Sequence, residues 1–454
     1  MGTIRYLLVL AVLSVLLACS QDSPGPVAPS VDPEPQQPGP VADPVAPDQS
    51  QAPPDSEPVP PAVETPPEPS EPVGVDEPVV PAADPVEPPV EVEGPQNSPV
   101  PLPTPSGANP VLEGTFLDID EFPVSQIVSG GVAKDGIPAL TNPSFVSPSQ
   151  VNYLNPDDLV LGVTVNGEAK AYPHNIGWWH EIVNDRIGGL PISVTFCPLT
   201  GTGLVFNALD AETGRQIEFG VSGLLFNNNL IMYDRRDGST LYPQLLYTAV
   251  LGPRQHEALE LLPVVETTWA MWQRLYPNTR VVERGSYSID RYLDYPYGGY
   301  RTDNTDIYFG LLPSISRNGN AYADLFGEKD RVLGVRLDGA TRAYPFRVMG
   351  ERRVINDQLG GVQIVVLWDR ESRLAIPYAR QVDGQVLTFI INTVQGTPFS
   401  MIDRETESLW TATGLAVDGP LTGKQLTQVP AHNGFWFAWV TFWQNTDVWS
   451  GQEG

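Results

Sequence analysis

A segment of 37 residues occurs twice in this chain, and this repeat restricts the fold more than any other feature of the sequence. Residues 161–197 align without a gap with residues 333–369 at an offset of 172, and 13 of the 37 positions are identical. The identities include Ala-Tyr-Pro (171–173 and 343–345), Asn-Asp (184–185 and 356–357) and Gly-Gly (188–189 and 360–361). We therefore predict a tandem duplication, with two modules related by a pseudo-twofold axis.

The residue pattern inside the repeat is typical of β-structure. Residues 161–173 alternate between apolar and polar side chains around Asn166-Gly167, the dipeptide that best fits a two-residue hairpin turn. One helix is predicted over 264–275, since Pro277 follows its last residue. We expect a mainly β fold with a few short helices.

The N-terminus has the pattern of an export signal. A single charge, Arg5, precedes the apolar run Tyr6–Leu17, which is too short to span a bilayer. The run leads into Leu-Ala-Cys ending at Cys19, which resembles a bacterial lipobox. We therefore predict lipidation of Cys19 and a lipid-anchored protein on the periplasmic or extracellular face of the bacterial cell envelope. An ordinary signal peptide with a chance cysteine is the alternative.

Residues 20–110 have the composition of a disordered tether. They contain 29 of the 48 prolines and 16 acidic residues, with no Lys or Arg. Such a segment cannot bury enough apolar surface to offset the entropy cost of ordering. In polyproline II geometry it reaches on the order of 200 Å from the membrane. We interpret it as a spacer, with a low-complexity tail of no fixed role as the alternative.

Charge and cysteine content restrict the class of protein. Of the net charge of −28, residues 111–454 carry −13, which argues against nucleic-acid binding. Once Cys19 is lipidated, Cys197 is the only thiol left, so no intramolecular disulfide can form. The predicted organisation is a signal peptide (1–18), a lipidated cysteine and tether (19–110), a lead-in with the first module (111–285), a connector (286–330) and the second module (331–454).

Four polar residues of the first copy have no equivalent in the second. The replacements are His174 by Phe346, His180 by Arg352, Glu181 by Arg353, and Cys197 by Asp369. We interpret residues kept in both copies as architecture and these four as candidates for chemistry, although drift of exposed positions predicts the same pattern. The turn Cys-Pro-Leu-Thr-Gly-Thr (197–202) has no clear counterpart by identity.

These candidates support three hypotheses. The first is a single site around His180 and Cys197 that binds a small-molecule or protein ligand, or zinc or copper with His174 or His432 as a further ligand. The second is a thiol-dependent enzyme in which Cys197 is the nucleophile, His180 its base and Glu181 the group that orients the base. The third is a structural or partner-binding module, since an unpaired cysteine is often a small buried hydrophobe. The sequence contains no phosphate-binding loop, dinucleotide fingerprint, Gly-x-Ser-x-Gly motif or Cys-x-x-Cys motif.

Several of these motifs together resemble one known family, domain of unknown function 3179. The matching residues are His-Glu-Ile-Val-Asn-Asp (180–185), Cys-Pro-Leu-Thr-Gly-Thr (197–202), Asp403-Arg404 and Leu409-Trp410. The resemblance covers roughly residues 150–445. It implies membership of the family and no particular activity, cofactor or ligand.

Overall fold

The computed structural model describes residues 119–311, 324–392 and 399–451, all within one compact unit of the chain. The predicted signal peptide, the lipidated cysteine and the tether lie outside the described residues. The fold is mainly β, as predicted. No helix among the described residues is both long enough and apolar enough to cross a membrane.

The first half of the described chain contains fourteen strands and three α-helices. The strands are β1 (Val128–Ser129), β2 (Leu140–Thr141), β3 (Phe145–Val146), β4 (Leu159–Val165), β5 (Glu168–Pro173), β6 (Ile182–Ile187), β7 (Leu190–Cys197), β8 (Thr202–Asn207), β9 (Phe219–Phe226), β10 (Asn229–Asp234), β11 (Leu241–Pro243), β12 (Leu261–Leu262), β13 (Val265–Thr268) and β14 (Arg280–Val282). The helices are α1 (His174–His180), α2 (Trp269–Leu275) and α3 (Ile289–Leu293).

The second half, as far as it is described, continues with thirteen strands and one α-helix. The strands are β15 (Arg331–Leu337), β16 (Ala340–Pro345), β17 (Arg352–Leu359), β18 (Val362–Asp369), β19 (Leu374–Ala379), β20 (Gln381–Val382), β21 (Gln385–Val386), β22 (Phe389–Asn392), β23 (Ser400–Asp403), β24 (Leu409–Thr411), β25 (Ala416–Asp418), β26 (Ala431–Phe435) and β27 (Asp447–Val448). The helix is α4 (Trp436–Phe442), and five 3₁₀ turns occur at Val124–Gln126, Pro148–Gln150, Gln244–Leu246, Tyr300–Thr302 and Phe346–Val348.

The sheets of the two halves share a core topology. In the first half the orders are β13-β4-β5-β14-β3, β12-β8-β7-β6-β2 and β1-β9-β10-β11. In the second half they are β26-β15-β16-β27, β17-β18-β19, β22-β23-β24-β25 and the pair β20-β21. In both halves the last short strand runs parallel to the second strand of the hairpin, β14 beside β5 and β27 beside β16.

The local sequence signals explain the hairpins and one helix boundary. Asn166 and Gly167 both have positive φ (49° and 82°), which confirms the predicted turn between β4 and β5. The predicted helix over 264–275 is partly wrong, because Val265–Thr268 form β13 and the helix begins only at Trp269. The ladder with β4 extends to Thr268, and the Thr268 hydroxyl then accepts a hydrogen bond from the Met271 N–H as the N-cap.

A Trp packed on a glycine fixes the helix of each half onto its sheet. The Trp272 ring of α2 covers Gly162 of β4, and the Trp439 ring of α4 covers Gly334 of β15. Each indole N–H then donates to a threonine, Trp272 to Thr279 at 2.8 Å and Trp439 to Thr446 at 2.9 Å. A side chain at either glycine would occupy the space of the indole.

Each of these helices also packs into a core that both halves share. The aromatic residues of α4 belong to a core that contains Phe206 and Phe219 of the first half. Those of α2 belong to a core that contains Phe389 and Trp410 of the second half. Backbone hydrogen bonds also join the halves, since Phe435 N–H donates to Thr200 O at 2.9 Å and Thr268 N–H donates to Ser372 O at 3.0 Å. Each half has in addition a core formed by its own residues.

Candidate functional site

The turn 197–202 lies where the two halves meet. Gly201 O accepts a hydrogen bond from Arg331 Nη1 at 2.6 Å, at the start of β15. The turn does have a counterpart in the second half at the same offset of 172, because residues 369–374 connect β18 to β19 as 197–202 connect β7 to β8. Gly201 has a φ of 62° and its counterpart Arg373 a φ of 54°. The backbone conformation of the turn is therefore present in both halves, although the residues differ.

A closed polar network lies beneath this turn. Thr202 donates to Gln244 Oε1 at 2.7 Å, and Gln244 Nε2 donates to Thr195 Oγ1 at 2.8 Å. Asn229 Nδ2 donates to Gln244 Oε1 at 2.9 Å and to Thr200 Oγ1 at 3.2 Å. These groups satisfy one another, so we interpret them as the support of the turn.

Cys197 ends β7 with its side chain buried. The thiol donates a weak hydrogen bond to Asn228 O, with an Sγ–O distance of 3.4 Å. Burial, followed by the charge of Glu181, raises the pKa of the Cys197 thiol to about 11. The thiol is therefore protonated at neutral pH in this conformation of the protein.

Glu181 has the most unusual conformation of the candidates. It terminates α1 with a φ of 56° and a ψ of −34°, outside the left-handed helical region that non-glycine residues normally use when φ is positive. Its side chain is only 8% exposed, and burial raises the pKa of the carboxyl to about 8. Within the described part of the chain, this carboxyl forms no hydrogen bond and no ion pair. Glu181 is thus a buried, largely protonated acid at neutral pH.

His180 is engaged away from Cys197. Its Nδ1 lies 2.7 Å from Pro138 O and its Nε2 lies 2.9 Å from Tyr292 Oη. A carbonyl oxygen only accepts, so Nδ1 carries the proton and Nε2 accepts from the tyrosine hydroxyl. Burial lowers the pKa of the imidazole. His180 therefore joins α1 to the segment before β2 and to α3. Its hydrogen-bond partners in the described part of the chain do not include Cys197.

His174 lies at the other end of α1, beside Glu266 of β13. The His174 Nε2 to Glu266 Oε2 distance is 3.6 Å, too long for a hydrogen bond, and neither atom has another partner among the described residues. The two residues are each 5% exposed. Burial lowers the pKa of His174, and it acts to raise that of Glu266, but the neighbouring Arg331 and His174 bring the Glu266 pKa down to about 2.

A small cavity separates α1 from β7. His174, Glu181 and Thr195 contribute to a lining that is otherwise apolar. The volume open to the centre of a water molecule is about 10 Å³, which is the room that one water needs. The structure therefore brings His174 and Glu181 to one cavity, whereas His180 points elsewhere.

The same positions in the second half hold an ion pair between a partly exposed arginine and a buried aspartate. Arg352, at the position of His180, donates to Asp369, at the position of Cys197, with an Nε–Oδ1 distance of 2.5 Å. Arg353, at the position of Glu181, lies in the regular strand β17 and donates to Gly451 O at 2.9 Å. Between the 3₁₀ turn Phe346–Val348 and β17, the residue with a positive φ is Gly350 instead. The strained acid and the buried thiol thus occur in the first half of the fold only.

The described residues contain no group of three or more His, Cys, Asp or Glu side chains placed to hold a metal ion. His432, the further ligand considered from sequence, is buried beside Tyr247, with an Nδ1–Oη distance of 3.3 Å. Burial lowers the pKa of His432 to about 3. The zinc or copper site at His180, Cys197 and His174 remains a prediction.

Sequence reasoning missed the tyrosines above the turn. Tyr295 donates to Pro198 O at 3.3 Å and Tyr300 donates to Leu199 O at 2.9 Å. Tyr297 lies near Glu181 and Cys197. Burial is the main cause of its raised pKa, and the charges of these two residues raise the pKa further. The density of tyrosine in 285–310 was the available signal, and the segment was assigned only as a connector.

Fold and site together define a mainly β protein with a strained acid and a buried thiol in its first half. The family model "Protein of unknown function (DUF3179)" matches residues 134–446, so the chain belongs to that family. The match includes the motif Asp403 to Trp410, whose role is structural here, because Trp410 Nε1 donates to the buried Asp403 carboxylate at 2.8 Å. No curated protein and no solved structure matches the chain.

Proposed function

We propose that this protein is a lipid-anchored protein of the bacterial cell envelope, held to a membrane through Cys19. The support is the apolar run that ends at a lipobox-like sequence and the Pro-rich acidic segment that follows it. A tether of this composition holds the folded part away from the membrane surface.

Replacing Cys19 should release the protein from the membrane. Cys19→Ala removes the sulfur that carries the lipid, and the remaining N-terminal segment is too short to span a bilayer. We expect the wild type in the membrane fraction and Cys19→Ala in the soluble fraction after cell fractionation, with Cys197→Ala as the matched control that stays with the membrane. Equal membrane retention of Cys19→Ala and the wild type would contradict the lipid anchor.

We infer that the folded part is a tandem duplication with a pseudo-twofold axis. Three observations support it: the shared strand order, the paired glycine–tryptophan contacts, and the packing of both α2 and α4 into cores that the two halves share. Side-chain pairs recur as well. Tyr172 donates to Asp185 at 2.8 Å, and Tyr344 donates to Asp357 at 2.7 Å.

We propose that the first half carries the single functional site, a ligand-binding site at Glu181 and Cys197, with His174 across a small cavity from Glu181. This cavity has room for about one water molecule, so a larger ligand requires local opening of the site. The observation that carries the proposal is Glu181, which holds a buried carboxyl in a strained conformation where its counterpart Arg353 is a regular strand residue. Strain and an uncompensated buried acid both cost stability, and they concentrate at functional sites. The Nε2 of His174 forms no hydrogen bond with the described residues and faces the Glu266 carboxylate at 3.6 Å, which leaves hydrogen-bonding capacity at the site.

The protonation states at the site indicate the class of ligand. Glu181 and Cys197 are both neutral near pH 7, and the nearby Arg331 is already paired with Glu266. A charged ligand would lose its hydration without gaining a free counter-charge. We therefore propose a small, uncharged molecule that accepts a hydrogen bond from the Glu181 carboxyl.

A ligand screen with matched variants tests this function. We would measure the thermal shift of the full chain against a panel of small polar compounds, charged and uncharged, together with zinc and copper. A specific ligand should lose at least about 10-fold in affinity in Glu181→Gln or Cys197→Ser, which is about 1.4 kcal/mol. Arg353→Gln, the same change in the second half, should bind as the wild type does. An affinity that is unchanged in Glu181→Gln would show that the ligand binds elsewhere in the protein.

The same screen decides between the other hypotheses. A shift with zinc or copper alone that is lost in His180→Ala and Cys197→Ala would support the metal site. Thiol catalysis with Cys197 as the nucleophile and His180 as its base requires a conformation in which the two side chains meet. If no compound or metal acts and neither variant changes the phenotype of the cell, the structural or partner-binding reading gains support.

A further inference from the structure

The segment 295–310, which we name the cover segment, lies over the turn 197–202 and the candidate site. Tyr295 and Tyr300 donate to the carbonyls of Pro198 and Leu199. Arg301 packs beside these tyrosines. Its guanidinium lies 4.9 Å from the centre of the Tyr295 ring and 5.4 Å from that of the Trp178 ring. Cys197 is therefore shielded by side chains of a segment that contains little regular structure.

The far end of the cover segment is attached to the residue that binds the thiol. Asn228 Nδ2 donates to Gly310 O at 2.6 Å, and Phe309 N–H donates to Asn228 Oδ1 at 3.1 Å. The carbonyl of the same Asn228 accepts from Cys197. Movement of this end therefore acts directly on the environment of the thiol.

Lys329 connects the middle of the cover segment to the start of β15. Its ammonium group donates to three carbonyls, those of Tyr300 (3.1 Å), Asp303 (3.2 Å) and Asp306 (2.6 Å). It also lies 3.4 Å from the centre of the Tyr300 ring. All three donors of the ammonium group are used, and the side chain is only 6% exposed. One buried cation thus binds three carbonyls of a segment whose regular structure is limited to the 3₁₀ turn at Tyr300–Thr302.

The cover segment is packed unevenly. Tyr300 is only 2% exposed and belongs to a hydrophobic core that also contains Trp436 and Phe437, whereas Tyr308 is 47% exposed and Phe309 is 40% exposed. Segments with few buried contacts open at a lower free energy than the core does. We therefore expect the outer part of the cover segment to open most readily, while Lys329 and the buried Tyr300 side chain hold its centre.

We propose that the cover segment is a strap that opens locally to admit ligand to the site at Glu181 and Cys197, and that Lys329 is the latch that holds it closed. The ligand part of this inference rests on the proposed function. The strap itself does not, because its opening is measured through the accessibility of Cys197. A failed ligand screen and a failed strap are therefore distinguishable.

The test is the alkylation rate of Cys197 in the full folded chain, followed by mass spectrometry of the peptide that contains Cys197. The wild type should react far more slowly than a free cysteine peptide. Lys329→Met keeps the length of the side chain and removes the cation, so the rate should rise at least about 10-fold, which is about 1.4 kcal/mol in the opening equilibrium. Lys424→Met, a control at an exposed lysine in the second half, should react at the wild-type rate.

Two further variants keep the test decisive. Tyr300→Phe removes only the hydroxyl that binds Leu199 O, and it should raise the rate about 3-fold, even if Lys329→Met does not fold. Val366→Ala destabilises a core that consists of second-half residues only, so at a matched unfolding temperature it should react more slowly than Lys329→Met. The strap is excluded if a folded Lys329→Met or Tyr300→Phe reacts at the wild-type rate, or if Val366→Ala reacts as fast as Lys329→Met.

Discussion

Raising the pH from 5 to 8 should destabilise the folded protein through Glu181, and Glu181→Gln should remove that part of the pH dependence. The folded carboxyl has a pKa of about 8, against 4.5 in the unfolded chain. Between these values the folded state keeps a proton that the unfolded state releases, so stability falls as the pH rises. The contribution is fully present below pH 4.5 and is lost by the time the pH passes 8.

The size of this effect makes it measurable. Between the two pKa values the slope is roughly 1.4 kcal/mol per pH unit for one group, or several kcal/mol in total. His174 lines the same cavity as Glu181 and burial lowers its pKa, so the comparison with Glu181→Gln is needed to isolate the carboxyl. Cys197 and Tyr297, which lie near Glu181, have raised pKa values and stay neutral over most of the interval. They do not cancel the effect.

Denaturant unfolding at a series of pH values measures this slope. The difference in unfolding free energy between the wild type and Glu181→Gln isolates Glu181 from every other group. Arg353→Gln, the matched change in the second half, should have the pH slope of the wild type. Parallel curves for the wild type and Glu181→Gln would show that the carboxyl is ionised in the folded state.

Adding one methyl group at Gly162 should cost about 3 kcal/mol of stability. A Cβ atom there would lie 2.2 Å from Cζ3 of Trp272, well inside contact distance. The indole has little freedom to move, because it is buried and its N–H is bonded to Thr279. The cost is purely steric, since the φ of Gly162 is not positive.

The equivalent glycine of the second half allows a second copy of this experiment. Gly334→Ala should cost a similar amount, because its Cβ would lie 2.1 Å from Cζ3 of Trp439. Gly299→Ala is the matched control, since no atom lies within 4 Å of its added Cβ, and its effect should stay within about 0.5 kcal/mol. Unfolding midpoints of the three variants measure these costs. A tolerated Gly162→Ala would mean that α2 is not held as the structure shows.

The local part of the fold was predictable because it depends on neighbouring residues. Asn166-Gly167 sets a hairpin turn by its own φ preferences, and the alternating residues 190–197 form the strand β7. The helix start was misplaced because the Val265–Thr268 strand is stabilised by pairing with β4, more than a hundred residues earlier in the chain. Propensity alone carries no information about that partner.

The candidate site was only partly predictable. Comparison of the two copies identified Glu181 and Cys197 as residues of the first half only, but it gave no reason to separate them from His180. His180 and Cys197 occupy positions whose counterparts, Arg352 and Asp369, do touch each other. In the first half the extra turn of α1 directs the imidazole to Pro138 and Tyr292 instead.

The sequence by itself determined the repeat, the β-rich character and the four residues that distinguish the first copy, because these depend on pattern and on comparison within the chain. The tertiary structure alone decided what each of the four does. The residues that contact the four candidates are distant from them in sequence: Pro138, Asn228, Glu266 and Tyr292. The turn 197–202 packs where the two halves meet, and α2 and α4 contribute to the cores that both halves share. The buried environment that protonates Glu181 is assembled from such distant segments, so no local pattern records it.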